Sequence, residues 1–353
     1  MASKARVLVV DDSAFMRRTV SDILQSDNRL EVIGTARDGL DAIEKIRSLK
    51  PDVVTLDVEM PRLNGIDALE RIMKECPTRV VMVSSLTQRH ARETIKALSL
   101  GAVDFVPKPS TGLCPDMSAL RNELISKVLA GARARLRPVF RLPETPTVKR
   151  ALPERTQPAR VAVVIGSSTG GPSALQEVMR NLPASLPAGV LLVQHMPAGF
   201  TRSLADRLNQ VSPLEVVEAA GGERVMEGRA VMAPGGFHMT VDRDLQISLT
   251  TDPPRHGVRP AVDVTMEAAA SVFGHNCVGV VLTGMGFDGS KGCSAIKSSS
   301  GTVIAEHEST CVVYGMPRAV VEMGYADRVC PIGEVAIAIQ EAVDRLCKRR
   351  CSA

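Results

Sequence analysis

Tryptophan is absent from this 353-residue chain, and aromatic residues make up only 3% of it. A surface that stacks nucleic-acid bases needs aromatic faces, so none is expected. The net charge of +4 is too small a surplus to carry affinity for a phosphate backbone by itself. The eight cysteines stand at 76, 114, 277, 293, 311, 330, 347 and 351, with no CxxC pair and no Cys/His grouping at zinc-ligand spacing. Scattered thiols of this kind fit a reducing compartment. No apolar run approaches the ~20 residues of a membrane helix. The start, Met1 to Arg6 and then Val7-Leu8-Val9-Val10, lacks the longer apolar stretch of a secretory signal. The expectation is a cytoplasmic chain without membrane insertion. What remains is globular: 44% hydrophobic and 23% charged residues support packed cores. At roughly 100–200 residues per domain, the length suggests two.

Short apolar runs alternate with amphipathic stretches through the first third. Strands are expected at Arg6–Val10, Val53–Leu56, Val80–Val83 and Asp104–Val106, with a weaker one at Glu31–Thr35. Helical periodicity covers Ala14–Gln25 and Gly39–Leu49. Between about 130 and 159 the pattern breaks: Pro138, Pro143, Pro146, Pro153 and Pro158 stand among seven basic residues, the composition of a semi-extended linker. Alternation resumes at Arg160. Strands are expected at Val161–Ile165, Val190–Val193 and Cys277–Leu282, and helices at Pro172–Asn181, Phe200–Gln210, Ala261–Phe273 and Val335–Leu346. Strand and helix in turn imply parallel sheets covered on both faces. The expected fold is therefore α/β: two doubly wound, mainly parallel-sheet domains at 1–125 and 160–353, joined by a linker at 126–159.

Three carboxylates follow strand ends in the first domain: Asp11 and Asp12 after the first strand, Asp57 after the third. Strand C-termini of an open α/β sheet converge on one crevice. Carboxylates gathered there repel one another unless a hard cation neutralises them, and Mg²⁺ suits such a set. Ser84 and Lys108 end the fourth and fifth strands, where a hydroxyl and an ammonium group reach a phosphoryl oxygen. Val-Leu-Val-Val-Asp11-Asp12, Leu-Asp57-Val-Glu-Met-Pro61, Val-Ser84-Ser85 and Lys108-Pro109 resemble a two-component receiver domain of flavodoxin-like fold. The resemblance implies that Asp57 takes a phosphoryl group from a sensor histidine kinase, with Mg²⁺ on Asp11, Asp12 and Asp57. It also implies that Phe105 is the switch aromatic and that Lys108-Pro109 is a cis peptide.

The second domain opens on Gly166-Ser167-Ser168-Thr169-Gly170-Gly171-Pro172, between a strand and a helix. This contains G-x-S-x-G, the turn that exposes a nucleophilic serine beside a backbone donor. A phosphate-binding turn at a helix N-terminus is the rival reading, although no Lys is present for a P-loop. Among six histidines, only His195 directly follows a strongly apolar strand. Asp288 lies beyond a third strand; by itself such an Asp also reads as a helix N-cap. Together Ser168, His195 and Asp288 fall at one edge of one sheet, as a nucleophile, a base and an orienting acid require. Their chain order differs from the Ser, Asp, His of α/β-hydrolases.

Gly-Ser-Ser168-Thr-Gly-Gly, Gln-His195-Met-Pro-Ala-Gly-Phe and Leu-Thr-Gly-Met-Gly-Phe-Asp288-Gly resemble the chemotaxis methylesterase family, as do Arg259-Pro-Ala-Val-Asp263-Val and Val313-Tyr-Gly-Met-Pro-Arg318. The resemblance implies a Rossmann-like catalytic domain with Ser168 as nucleophile, His195 as general base and Asp288 as its partner. It assigns the oxyanion site to the Met285 amide with help from Thr169. The implied substrates are methyl-accepting chemoreceptors, demethylated at glutamate and deamidated at some glutamines, with no cofactor for the hydrolysis itself. Phe287 stands where the family commonly has Asn. A binding module whose Gly-rich turn holds an anion is the alternative. A DNA-binding output domain is not expected, because residues 160–353 offer neither a recognition helix nor a basic face.

Overall fold

The computed structural model describes residues 3–85, 87–108, 117–136 and 157–348. The chain divides into two compact units, Met1–Arg141 and Leu142–Ala353. The first contains β1 (Ala5–Val10), α1 (Ala14–Gln25), β2 (Leu30–Ala36), α2 (Gly39–Leu49), β3 (Val53–Asp57), α3 (Gly65–Glu75), β4 (Arg79–Ser84), α4 (Gln88–Ser99), β5 (Asp104–Pro107) and α5 (Met117–Arg133). Its strands pair in the order β2-β1-β3-β4-β5, all parallel. This is the flavodoxin-like order, whose crevice lies where β1 and β3 meet. The helices start where the sequence supplies caps: Ser13, Asp38, Asn64 and Thr87 each accept a backbone N–H of the helix that follows.

The expected boundary at residue 125 falls inside α5, which continues to Arg133. Its apolar stripe explains the extension. Leu124, Ile125 and Val128 are buried in one cluster with Val7, Val9, Val53 and Val81. Arg79 Nε then donates to the Ala134 carbonyl at 2.6 Å, tying the end of the helix to β4.

The second unit contains β6 (Ala162–Ser167), α6 (Gly171–Asn181), β7 (Gly189–Gln194), α7 (Phe200–Val211), β8 (Glu215–Glu218), β9 (Arg229–Met232), β10 (His238–Val241), β11 (Ile247–Thr250), α8 (Val262–Phe273), β12 (Cys277–Val281), α9 (Ser290–Ser298), β13 (Thr302–Glu306), α10 (Met316–Glu322), β14 (Arg328–Cys330) and α11 (Ile332–Lys348). Seven strands form one parallel sheet in the order β14-β13-β12-β6-β7-β9-β8, and β10 and β11 pair as an antiparallel hairpin. Every residue of β6, β7 and β12 is buried, as strands covered on both faces require. Strand order reverses around β6, so a crevice opens at its C-terminal end. Among the described residues, no helix is long and apolar enough to cross a membrane.

Candidate functional sites

The first site lies at the ends of β1, β3 and β5. Ligand oxygens of Asp11, Asp12 and Asp57 lie within 4.8 Å of one another. Lys108 Nζ stands 2.9 Å from Asp11 Oδ2 and 2.8 Å from Asp57 Oδ2. The contact is ionic without hydrogen-bond alignment: both oxygens are buried and neither has a hydrogen-bond partner. Burial drives the Asp57 carboxyl up to about 6, against the pull of Lys108, and the charge of Asp11 adds to the rise. Burial also opposes the Lys108 charge, but the two carboxylates raise its pKa overall. Orphaned buried oxygens on converging carboxylates are the donor set a hard divalent cation takes. Ser84 is fully buried and accepts a hydrogen bond from Thr94 Oγ1 at 2.9 Å. Phe105 is buried, with Lys127 Nζ 5.0 Å from its ring centroid. Pro109, and so the expected cis bond, lies outside the described residues.

The second site occupies the crevice at β6. Ser168 follows β6 and is partly exposed between buried Ser167 and Thr169. The turn closes through Gly171 N–H, which donates to the Ser168 carbonyl at 2.7 Å, and Gly170 adopts φ +76°. Ser167 pairs in parallel with Gln194, the last residues of β6 and β7, so Ser168 and His195 follow adjacent strand ends. The His195 N–H donates to the Ser167 carbonyl at 3.2 Å.

Glycines make the close approaches possible. A Cβ on Gly284 would lie 2.9 Å from Ser168 Cβ, and one on Gly171 would lie 2.0 Å from Gln194 Oε1. Gly315 and Met316 N–H groups both donate to the Gly284 carbonyl, at 3.0 and 2.9 Å. Met285, the expected oxyanion residue, follows directly and is 41% exposed.

His195 Nε2 lies 2.8 Å from Asp288 Oδ2. The same carboxylate accepts Val262 N–H at 2.7 Å and Asp263 N–H at 2.9 Å, so Asp288 caps α8, a helix it does not precede. Burial raises the Asp288 pKa, but the His195 hydrogen bond and charge and the amides of Asp263 and Val262 outweigh it and leave it lowered. An ionised carboxylate only accepts, so Nε2 carries the imidazole proton and Nδ1 is the basic nitrogen.

The rival anion site is poorly provided. Gly171 N–H is spent on the Ser168 carbonyl, Pro172 has none, and Ala174 N–H donates to the Gly170 carbonyl.

Several residues were not singled out from the sequence. Gln194 accepts from Ser167 Oγ at 2.7 Å and donates to the Ser168 carbonyl at 2.9 Å, so it braces the turn. A polar side chain in an otherwise apolar strand was the available signal. Thr283 Oγ1 donates to the Thr169 carbonyl at 3.0 Å, and its own N–H donates to buried Glu306 at 2.8 Å. His256 follows no apolar strand, yet its Nε2 lies 2.8 Å from Asp263 Oδ2.

A flavodoxin-like sheet with an acidic crevice, and a second parallel sheet bearing a serine turn beside a His-Asp pair, define a receiver-coupled α/β enzyme. Residues 7–113 match the response regulator receiver domain, and residues 163–339 match the CheB methylesterase domain. The chain is 53% identical over 350 residues to the protein-glutamate methylesterase/protein-glutamine glutaminase of Symbiobacterium thermophilum, covering 96% of this chain and 97% of that one. It is 49% identical over 350 residues to the protein of the same name from Pyrococcus abyssi, covering 97% and 95%. The crystal structure of the Thermotoga maritima CheB methylesterase catalytic domain aligns with 47% identity and a TM-score of 0.50, covering 51% of this chain and 97% of that one. The chain belongs to the protein-glutamate methylesterase/protein-glutamine glutaminase family.

Proposed function

We propose that this chain is a phosphorylation-activated hydrolase of chemoreceptor glutamyl methyl esters, with deamidation of selected receptor glutamines as a second activity. The observation that carries the reading is the His195–Asp288 pair, anchored on the amides of α8 and standing beside Ser168 at the crevice of β6. In this reading Ser168 Oγ attacks the γ-carbonyl carbon while its proton passes to His195 Nδ1. The Met285 amide, with Thr169 beside the turn, receives the developing oxyanion. The C–O bond to methoxide then breaks, and imidazolium returns the proton to give methanol. Water, deprotonated by His195, attacks the acyl-enzyme. Ser168 leaves with that proton, and the glutamic acid formed gives its remaining proton to solvent, leaving a carboxylate. An amide substrate follows the same course with ammonia leaving.

Asp57 is the proposed phosphoryl acceptor, supplied by a sensor histidine kinase. Asp11, Asp12 and Asp57 would hold Mg²⁺, which when bound offsets their charge and that of the incoming phosphoryl group. Lys108 and Ser84 then steady the phosphoryl oxygens, and Phe105 reports the change. We assign the receiver to the chain through α5, the linker to the segment that follows, and the catalytic domain to residues from about 160. A cytoplasmic location suits receptor substrates of this kind.

A fluorophosphonate probe tests the reading with the intact chain. A serine esterase labels at Ser168, and the label disappears in Ser168→Ala. Labelling that survives the substitution, or no labelling of the wild type, supports the anion-binding alternative.

A further inference from the structure

Behind Ser168 two carboxylates and two imidazoles form a matched set. Asp288, which precedes α9, caps α8. Asp263, in the first turn of α8, caps α9: its Oδ1 accepts Gly289 N–H at 2.9 Å and Gly292 N–H at 2.8 Å. Neither helix has a capping side chain of its own, since α8 begins after Ala261 and α9 after Gly289. The Gly289 N–H also points to Asp288 Oδ1 at 2.9 Å, so one donor is shared by both carboxylates. Each carboxylate then takes one imidazole: His195 on Asp288 and His256 on Asp263, both at 2.8 Å.

Asp263 is fully buried and Asp288 is 3% exposed. Like charges packed this closely are costly unless donors surround them. For Asp263 the side-chain donor is His256; Arg255 Nε stands farther off, at 3.9 Å, while its guanidinium binds Glu267 through two bonds of 2.6 and 2.7 Å. His256 is held in place by a tight turn. It adopts φ +55°, Gly257 adopts φ +77°, and Arg255 and Val258 bond across them. The Phe287 ring packs edge-on against His256 with centroids 4.7 Å apart. Although one oxygen from each carboxylate and a His256 nitrogen lie close enough to bind a metal, those carboxylates are already occupied by amides and imidazoles. The arrangement is a hydrogen-bond network.

We propose that His256 is a positioning residue for the hydrolysis: through Asp263 it fixes the start of α9 and Asp288. The inference rests on the reading of His195 as the general base. The charged and titratable groups facing this network are Arg255 on the turn, Asp263 and Glu267 on α8, Asp288 and the buried Cys293 thiol at α9, and His238 of β10, whose Nδ1 accepts Ala261 N–H at 3.2 Å. Of these, His256 alone donates a side-chain hydrogen bond of 2.8 Å to Asp263. Without it, Asp263 loses its 2.8 Å side-chain donor, and its hold on Gly289 and Gly292 at the start of α9 is left unbraced. Asp288, and with it the His195 ring, is then held less firmly for proton transfer.

The test is the rate of Ser168 labelling by a fluorophosphonate probe as a function of pH, on the full-length chain. His256→Ala should slow labelling about three- to tenfold, both at the high-pH plateau and at neutral pH. His256→Gln keeps an N–H donor and should restore most of both. The downfield imidazole N–H proton of the His195–Asp288 pair should shift in His256→Ala and return in His256→Gln. A plateau and neutral-pH rate unchanged in both variants overturn the proposal, as does a Gln variant that behaves like Ala. If His256→Ala does not fold, His256→Leu, which removes the donor and keeps the bulk, takes its place. His195→Ala is measured alongside. Wild-type labelling in that variant sinks the general-base reading itself. Loss of labelling there, with wild-type behaviour at His256, removes only the role given to His256.

Discussion

Asp57 and Asp288 are both buried carboxylates at strand-end crevices, yet their acidities move in opposite directions. Asp57 rises to about 6, and Asp288 falls below its ordinary value. Burial is the largest influence on both, and it pushes both upward. The difference lies in donors. Asp288 receives an imidazole and the amides of two successive residues of α8. Asp57 has the Lys108 ammonium and a single amide, that of Val58, and Asp11 repels it. A carboxylate surrounded by donors is fixed in charge and place. One left short of donors suits the cation and phosphoryl group proposed for it.

If Asp288 serves a serine nucleophile, Ser168→Ala should have the largest consequence. Loss of a triad nucleophile costs ~10⁴–10⁶ in rate. Receptor demethylation above a tenth of the wild-type rate would remove Ser168 from the mechanism.

Asp288→Asn sharpens the contrast, because it keeps the shape and removes the charge. Its amide nitrogen cannot accept from Val262 or Asp263, and His195 loses its reason to keep the proton on Nε2. We expect demethylation to fall by ~10⁴ and stability to drop by about 1 kcal/mol through the lost cap of α8. Equal thermal midpoints for variant and wild type would show that the cap contributes nothing.

The receiver should restrain the enzyme until Asp57 is phosphorylated. A fragment starting near Arg160 is expected to demethylate receptors on the order of tenfold faster than the unphosphorylated chain. Acetyl phosphate with Mg²⁺ should bring the intact chain towards the fragment, and Asp57→Asn should abolish that response. A fragment no faster than the intact chain would rule out restraint.

The smallest effect is on stability. The folded pKa of Asp57 is raised, so its contribution is favourable below the ordinary value of 3.8 and is lost as pH rises through about 6. Without Mg²⁺, Asp57→Asn should therefore melt a few degrees above the wild type at neutral pH, and the gap should close as pH falls below about 6. A gap independent of pH would show that Asp57 is not the group responsible.

The receiver was legible in the sequence because its signals are local. Ser13, Asp38, Asn64 and Thr87 cap the helices that follow them, and α1 and α2 run as their periodicity predicts. Asp11, Asp57 and Lys108 each end an apolar strand. The catalytic unit hides its determinants in distant pairings. Helices α6 to α9 start without a side-chain cap of their own. The capping carboxylates of α8 and α9 come from 25 or more positions away. No periodicity announces such a pairing, so His256 and Asp263 were passed over as a unit. His195 stood out because an apolar strand runs directly into it. Strands β13 and β14 and helices α9 and α10 were also missed, being short segments without strong alternation.

The glycine floor of the Ser168 crevice has a consequence for protein engineering. Added methyl groups at Gly166, Gly171 or Gly284 would lie 2.0–2.3 Å from a neighbouring atom. Substitutions there should be purged from any functional library, and a wider substrate range will not come from reshaping that floor. Met285 and Phe287 present 41% and 54% of their surface to solvent on the same segment. Met285, whose side chain is exposed while its amide is the proposed oxyanion donor, is where variation can be tried with the floor intact; Phe287 is less free, because its ring packs on His256.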